Sequence, residues 1–168
     1  MINFETKWYT IETEDNYTRI IHKNRWNNRP FAGVVILVVI KERILLLKID
    51  RKGTNRIELE FPRGCSEPSQ SPEENACREL QEEIGTLPKN LIFLGNSIAD
   101  TAWGTGDVYL YYAEVEEIGN LQSEEGIKDY ILVTFSELLK LIADNKIQDG
   151  FTLSAITKSI AKGLINCT

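Results

Sequence analysis

Three observations predict an α/β fold for this chain: two consecutive apolar runs of strand length, one well-capped amphipathic helix, and strand and helix patterns alternating towards the C-terminus. Ala32 to Ile40 is continuously apolar and rich in valine and isoleucine. After a Lys41-Glu42-Arg43 turn, a second run covers Ile44 to Ile49. Runs of this kind belong to central strands buried on both faces of a sheet.

The remaining elements follow from local pattern. Lys7 to Ile11 and Tyr17 to Lys23 alternate β-branched and aromatic residues around Glu14-Asp15-Asn16, which predicts a hairpin within an N-terminal extension, residues 1–28. Ile57 to Phe61 reads as a short strand running into an irregular loop. Ser71 then stands as an N-cap, with Pro72 at the first helical position and Glu74 completing an S-x-x-E capping box. Gly85 ends this helix. Leu91 to Ser97 and Val108 to Val115 resume the sheet, Tyr130 to Phe135 ends it, and Ser136 to Ala143 and Leu153 to Leu164 are helical.

Composition narrows the class. A chain of 168 residues, 42% hydrophobic, has the size of one domain spanning 1–168 and buries a core of its own. Its net charge of -6 argues against a surface for long nucleic acid, which needs a basic patch. Cys65, Cys77 and Cys167 show no metal or redox spacing and leave an odd thiol, so a reducing cytoplasm is the expected setting. The longest apolar run is about half of what a membrane-crossing helix requires, so no membrane association is expected.

The chemistry concentrates between Gly64 and Thr86. Arg78, Glu79, Glu82 and Glu83 fall within six consecutive positions. At about 100° per helical residue the three glutamates share one arc, beside an apolar stripe of Ala76, Cys77, Leu80 and Ile84 that pins the helix to a core. Like charges at this spacing cost about 0.2–0.5 kcal/mol per pair, and a divalent cation among them removes that penalty. With His22 as the sole histidine, a histidine-based zinc site is excluded, and oxygen donors favour Mg²⁺ or Mn²⁺.

This segment resembles the Nudix box: glycine, five residues, glutamate, seven residues, then Arg-Glu-aliphatic-any-Glu-Glu-any-Gly-aliphatic. Gly64, Arg78, Glu79, Leu80, Glu82, Glu83 and Gly85 match in register. Gln70 stands where the box has glutamate, and Thr86 where it has an aliphatic residue. The resemblance implies a Nudix-type α/β/α sandwich, a mixed sheet between helices, over roughly residues 30 to 165. It implies metal-dependent hydrolysis of a phosphoanhydride, with Glu79, Glu82, Glu83 and the Arg63 carbonyl as metal ligands and Arg78 bracing Glu82. It places the general base either on a box glutamate such as Glu82 or on a distant loop. Here that loop is Gln122 to Gly126, carrying Glu125 and its neighbour Glu124; an ordinary solvated acidic loop is the other reading.

The flanks of the box bear on substrate. Glu58 to Gly64, ELEFPRG, resembles the E-x-P-x-G lead-in of ADP-ribose pyrophosphatases, with Glu60, Pro62 and Gly64 in place. That resemblance assigns Arg51 and Glu60 to substrate binding, Arg51 gripping a phosphate or ribose, although a solvated turn also accounts for Arg51. The subfamily's downstream proline is absent from Ala99 to Gly104, where Trp103 either offers a flat face to a base or packs within its loop. Favoured substrates are therefore ADP-ribose or a nucleotide sugar. The alternatives are nucleoside triphosphates, dinucleoside polyphosphates, or a binding module that has lost turnover. Trp8, Tyr9, Tyr17 and Trp26 exceed what an edge ribbon needs and suggest a homodimer, with Trp8 or Trp26 at its interface; packing onto the chain's own sheet is the other reading.

Overall fold

The computed structural model describes residues 1–121 and 126–166. Its frame is a mixed sheet built on the two apolar runs. Strand β5 (Arg29–Ile40) and strand β6 (Arg43–Arg51) form a hairpin closed by Lys41 and Glu42, whose φ values of 47° and 64° are those of a tight two-residue turn. Strand β11 (Asp107–Glu114) runs parallel to β5 on its other side, and β9 (Asn90–Ser97) pairs antiparallel with β11. Strand β12 (Ile127–Val133) lies antiparallel to β6, giving the order β12-β6-β5-β11-β9.

Each central strand divides its side chains between two cores. From β5, Val34, Ile36 and Val38 join one cluster, while Val35 and Leu37 join the other. Helix α1 (Pro72–Ile84) covers the first face through Ala76, Leu80 and Ile84. Helices α2 (Phe135–Ala143) and α3 (Gly150–Ala161) cover the second through Leu138, Ala155 and Ile156. Full burial of a residue such as Leu80 stabilises the packed state by about 1.5–3 kcal/mol, which fixes the direction of every other side chain on its helix.

Strands β5 and β6 pair only near their turn and then diverge, and the segment between them in space positions the site. Strand β7 (Arg56–Glu60) pairs with the far end of β6, whereas β8 (Arg63–Cys65) pairs with the start of β5. The segment after Phe61 is expected to be an irregular loop. It becomes a strand because the Pro62 carbonyl accepts from Ile36 N at 2.8 Å and Ser66 N donates to the Ala32 carbonyl at 3.1 Å, bonds that β6 no longer supplies.

The N-terminal hairpin is present as β2 (Tyr9–Glu14) and β3 (Tyr17–His22), extended on its outer edge by β1 (Ile2–Glu5). Strand β10 (Gly104–Thr105) joins β3 in parallel, and the short β4 (Arg25–Trp26) folds back onto β5. Several boundaries move from expectation, two of them because of helix caps. Phe135 begins α2 instead of ending a strand, because Thr134 and Glu137 form a capping box. Helix α3 starts at Gly150, three residues early, because Asp149 caps it. Among the described residues, no helix is long and apolar enough to cross a membrane.

Candidate active site

The box helix has the ends its residues specify. Ser71 Oγ accepts from Glu74 N at 3.1 Å while Glu74 Oε2 accepts from Ser71 N at 2.8 Å, and Gly85 adopts the left-handed conformation that ends the helix. With its apolar stripe on the sheet, α1 turns Glu79 and Glu83, each 2% exposed, towards β8. The Arg63 backbone N–H donates to Glu83 Oε2 at 3.0 Å. Glu79 lies against Gly64 so closely that a methyl group there would overlap its carboxylate. The glycine of the box is thus a cradle for the first glutamate of the helix.

Arg78 braces this arrangement. It donates to Gln70 Oε1 at 3.3 Å, the Cys65 carbonyl at 3.1 Å and Asn75 Oδ1 at 3.3 Å, and pairs with Glu79 and Glu82. Burial alone would lower its pKa, but the charges of Glu79 and Glu82 outweigh this and hold it above its ordinary value. Gln70 still accepts one of these hydrogen bonds, so replacing the usual glutamate removes a charge and keeps an acceptor. Fully buried Asn75 ties the loop to the helix, accepting from Glu67 N at 3.1 Å and donating to the Cys65 carbonyl at 3.2 Å.

A cleft of about 690 Å³ opens over this region. Of the sequence-predicted residues, Arg51, Arg63, Arg78 and Glu79 line it. Glu60 and Glu83 stand behind its wall, Glu60 bonded to Arg51 and Arg63 and Glu83 to the Arg63 backbone. Glu82 does not line the cleft; its side chain is 48% exposed and turned to Arg78. Glu125 and Glu124 lie outside the described residues. A larger hollow of about 950 Å³, at the other end of β5 around Lys41, Lys89 and Phe135, holds none of the predicted site residues.

The opposite wall comes from the N-terminal sheet and the loop after β9. Trp8, Ile20 and His22 line the cleft there together with Ile98 and Trp103. Trp103 is 59% exposed, and its loop is fastened to the hairpin by Ile20 N donating to the Trp103 carbonyl at 2.7 Å and by Tyr17 OH donating to the Ala102 carbonyl. Trp26, in contrast, packs against the chain's own core. Sequence reasoning missed His22 as a wall residue and Asp149, whose Oδ1 accepts from Arg63 Nη1 at 2.7 Å. Only the capping pattern at Asp149 was a usable signal.

The carboxylates of Glu79 and Glu83 and the backbone oxygens of the Gly64 loop are donors that suit a hard cation. Among the described residues, no three His, Cys, Asp or Glu side chains converge into a ready cage. Two buried carboxylates, Glu79 and Glu83, are the donors that could hold such a cation.

A mixed sheet between helices, with a glutamate helix anchored on a glycine loop, defines a class, and comparison with known proteins agrees. The family model described as NUDIX domain matches residues 28–153, and the chain belongs to the Nudix family, whose hydrolases generally use divalent metal ions. It is a pyrophosphohydrolase of that family, related to the ADP-ribose pyrophosphatases. It is 30% identical to an ADP-ribose pyrophosphatase of Bacillus subtilis (strain 168) over 131 residues, 76% of this chain and 70% of the relative. It is 28% identical to the methanol dehydrogenase activator of Bacillus methanolicus over the same length, again 76% and 70%. With the ADP compounds hydrolase NudE of Escherichia coli (strain K12), identity is 31% over 103 residues, 56% of this chain and 54% of the relative. The crystal structure of an ADP compounds hydrolase superposes with a TM-score of 0.76 at 21% identity, covering 98% of this chain and 92% of the other, and shares its fold.

Proposed function

We propose that the protein hydrolyses the pyrophosphate bond of a nucleoside diphosphate linked to a second group, with ADP-ribose or a nucleotide sugar as substrate and Mg²⁺ or Mn²⁺ as cofactor. The observation that carries this reading is the pair of buried carboxylates, Glu79 and Glu83, presented by α1 to the Gly64 loop beside a cleft of nucleotide size. The relatives named for ADP-ribose and ADP compounds favour the substrate class.

Glu79, Glu83 and the Arg63 carbonyl would hold the cation. The alternation of an antiparallel ladder supports the last of these: residues 62 and 66 bond to β5, so Arg63 between them turns its backbone groups to the Glu83 side. When bound, the cation neutralises phosphate oxygens and lowers the pKa of water. Arg78 fixes the direction of Glu79 and ties Glu82 to the loop. Glu82 or Glu125 takes the proton from the attacking water. Arg51 binds phosphate, and Glu60 holds Arg51 in place. Trp103 and Trp8 offer flat faces to the base. A homodimer through the N-terminal sheet and a cytoplasmic setting belong to the same reading. Exposed Ile2, Phe4 and Tyr17 support the first, and the free thiol of Cys77 supports the second.

The test is a panel of ADP-ribose, nucleotide sugars, NADH and nucleoside triphosphates assayed with Mg²⁺ or Mn²⁺, beside a Glu83→Gln control. Turnover of a diphosphate-linked compound, reduced about 100-fold or more in the control, is expected. Tight binding with no turnover of any compound would replace the enzyme reading with a binding module.

A further inference from the structure

Two guanidinium groups share one buried carboxylate at the edge of the cleft. Glu60, with its side chain 3% exposed, accepts from Arg51 Nε at 3.1 Å and Arg51 Nη2 at 2.7 Å, and pairs with Arg63 Nε at 2.9 Å. Arg63 Nη1 donates to Asp149 Oδ1 at 2.7 Å. Asp149 is itself anchored as the N-cap of α3, its Oδ2 accepting from Thr152 N at 2.8 Å. None of these bonds uses Nη1 of Arg51 or Nη2 of Arg63, and a guanidinium carries five N–H donors. Both side chains line the cleft and are partly open to it, 30% and 24% exposed.

The charges explain why this arrangement suits an anion. Glu60 and Asp149 balance the two arginines, and the N-terminus of α3 adds the positive end of its helix dipole. Arg51 is held along one edge by Glu60 and Arg63 at two points by Glu60 and Asp149, so each guanidinium keeps its remaining donors without having to be ordered when a ligand arrives, and planar guanidinium groups match phosphate oxygens. In the E-x-P-x-G pattern the Arg63 position is unspecified, so this side chain is a feature of the present sequence.

We propose that the Arg63 guanidinium is a second substrate-binding group which, with Arg51, directly grips the phosphate of a nucleoside diphosphate that lies away from the acidic helix. The proposal rests on the cleft being a diphosphate site. Arg63 then contributes twice, by its backbone at Glu83 and by its side chain at the substrate, and the side chain sets affinity for linked diphosphates.

Binding and turnover of ADP-ribose by the full chain test this separately. In EDTA, calorimetric titration of Arg63→Gln is expected to show affinity about tenfold or more below wild type, with Arg63→Lys between the two because it keeps the charge and loses the fork. Asp149→Asn keeps an N-cap and leaves Arg63 on Glu60, so its loss of affinity is smaller than that of Arg63→Gln. With Mg²⁺, Arg63→Gln raises KM about tenfold while kcat stays within about threefold. Equal affinity of Arg63→Gln and wild type, or no wild-type binding in EDTA, overturns the proposal. So does an equal loss in Asp149→Asn with a matching fall in Tm, which would make Arg63 a strut to α3. Arg63-dependent binding without turnover by wild type would instead remove the hydrolase reading and leave this one standing.

Discussion

The carboxylate of Glu79 occupies the space that a side chain on Gly64 would need. Gly64→Ala must therefore displace either the glutamate or β8. The expected cost is about 1–3 kcal/mol of stability from overpacking, with turnover falling more steeply than stability because Glu79 is re-aimed. Denaturant unfolding beside a turnover assay checks this, and a variant with native stability and activity would show that the contact is not required.

Arg78 reaches Gln70, Cys65, Asn75, Glu79 and Glu82 through a planar fork, which a lysine cannot reproduce. Arg78→Lys is expected to lower kcat about 10- to 100-fold with little change in fold. Gln70→Glu, which makes one of these bonds charge-assisted, is expected to raise Tm modestly. A fall in Tm would mean that the neutral glutamine is needed to keep Arg78 directed at Glu79.

His22 is the sole histidine, and burial in the cleft wall holds its pKa below the ordinary value. The unfolded chain takes up that proton first as pH falls. Stability is therefore fully present above about 6.5 and declines as pH falls from there through the folded value, by at most about 1.4 kcal/mol per pH unit. A His22→Gln variant should lose this component of the Tm profile between neutrality and the carboxylate range. An unchanged profile would place the slope elsewhere.

Ile2, Phe4 and Tyr17 are more than half exposed on the N-terminal sheet, an apolar surface of the kind that a two-fold partner covers. Light scattering at micromolar concentration is expected to give twice the chain mass, and a charged residue in place of Phe4 is expected to halve it. A strictly monomeric wild type would remove the dimer from the proposed function.

The acidic helix was legible because its signals are local. Ser71, Pro72, Glu74 and Gly85 act within one element, and the apolar stripe settles which face carries Glu79 and Glu83. Strands β5 and β6 were legible for a related reason, since continuous valine and isoleucine runs have little alternative to burial in a sheet. Asp149 gave a capping signal that places the start of α3 correctly, and the helix pattern alone set that start too late.

The sequence by itself determined the sheet frame, the capped helix and the residue types that suit a cation and a diphosphate. Tertiary structure alone decided that Arg63 meets Asp149 across 86 positions, that β8 fills the gap where β5 and β6 part, and that β10 ties the Trp103 loop to the hairpin. Caps and periodicity act over a few residues and leave a mark in the order of amino acids. Contacts between distant segments depend on how twisted strands diverge and which edges remain unpaired, and no short stretch of sequence records that.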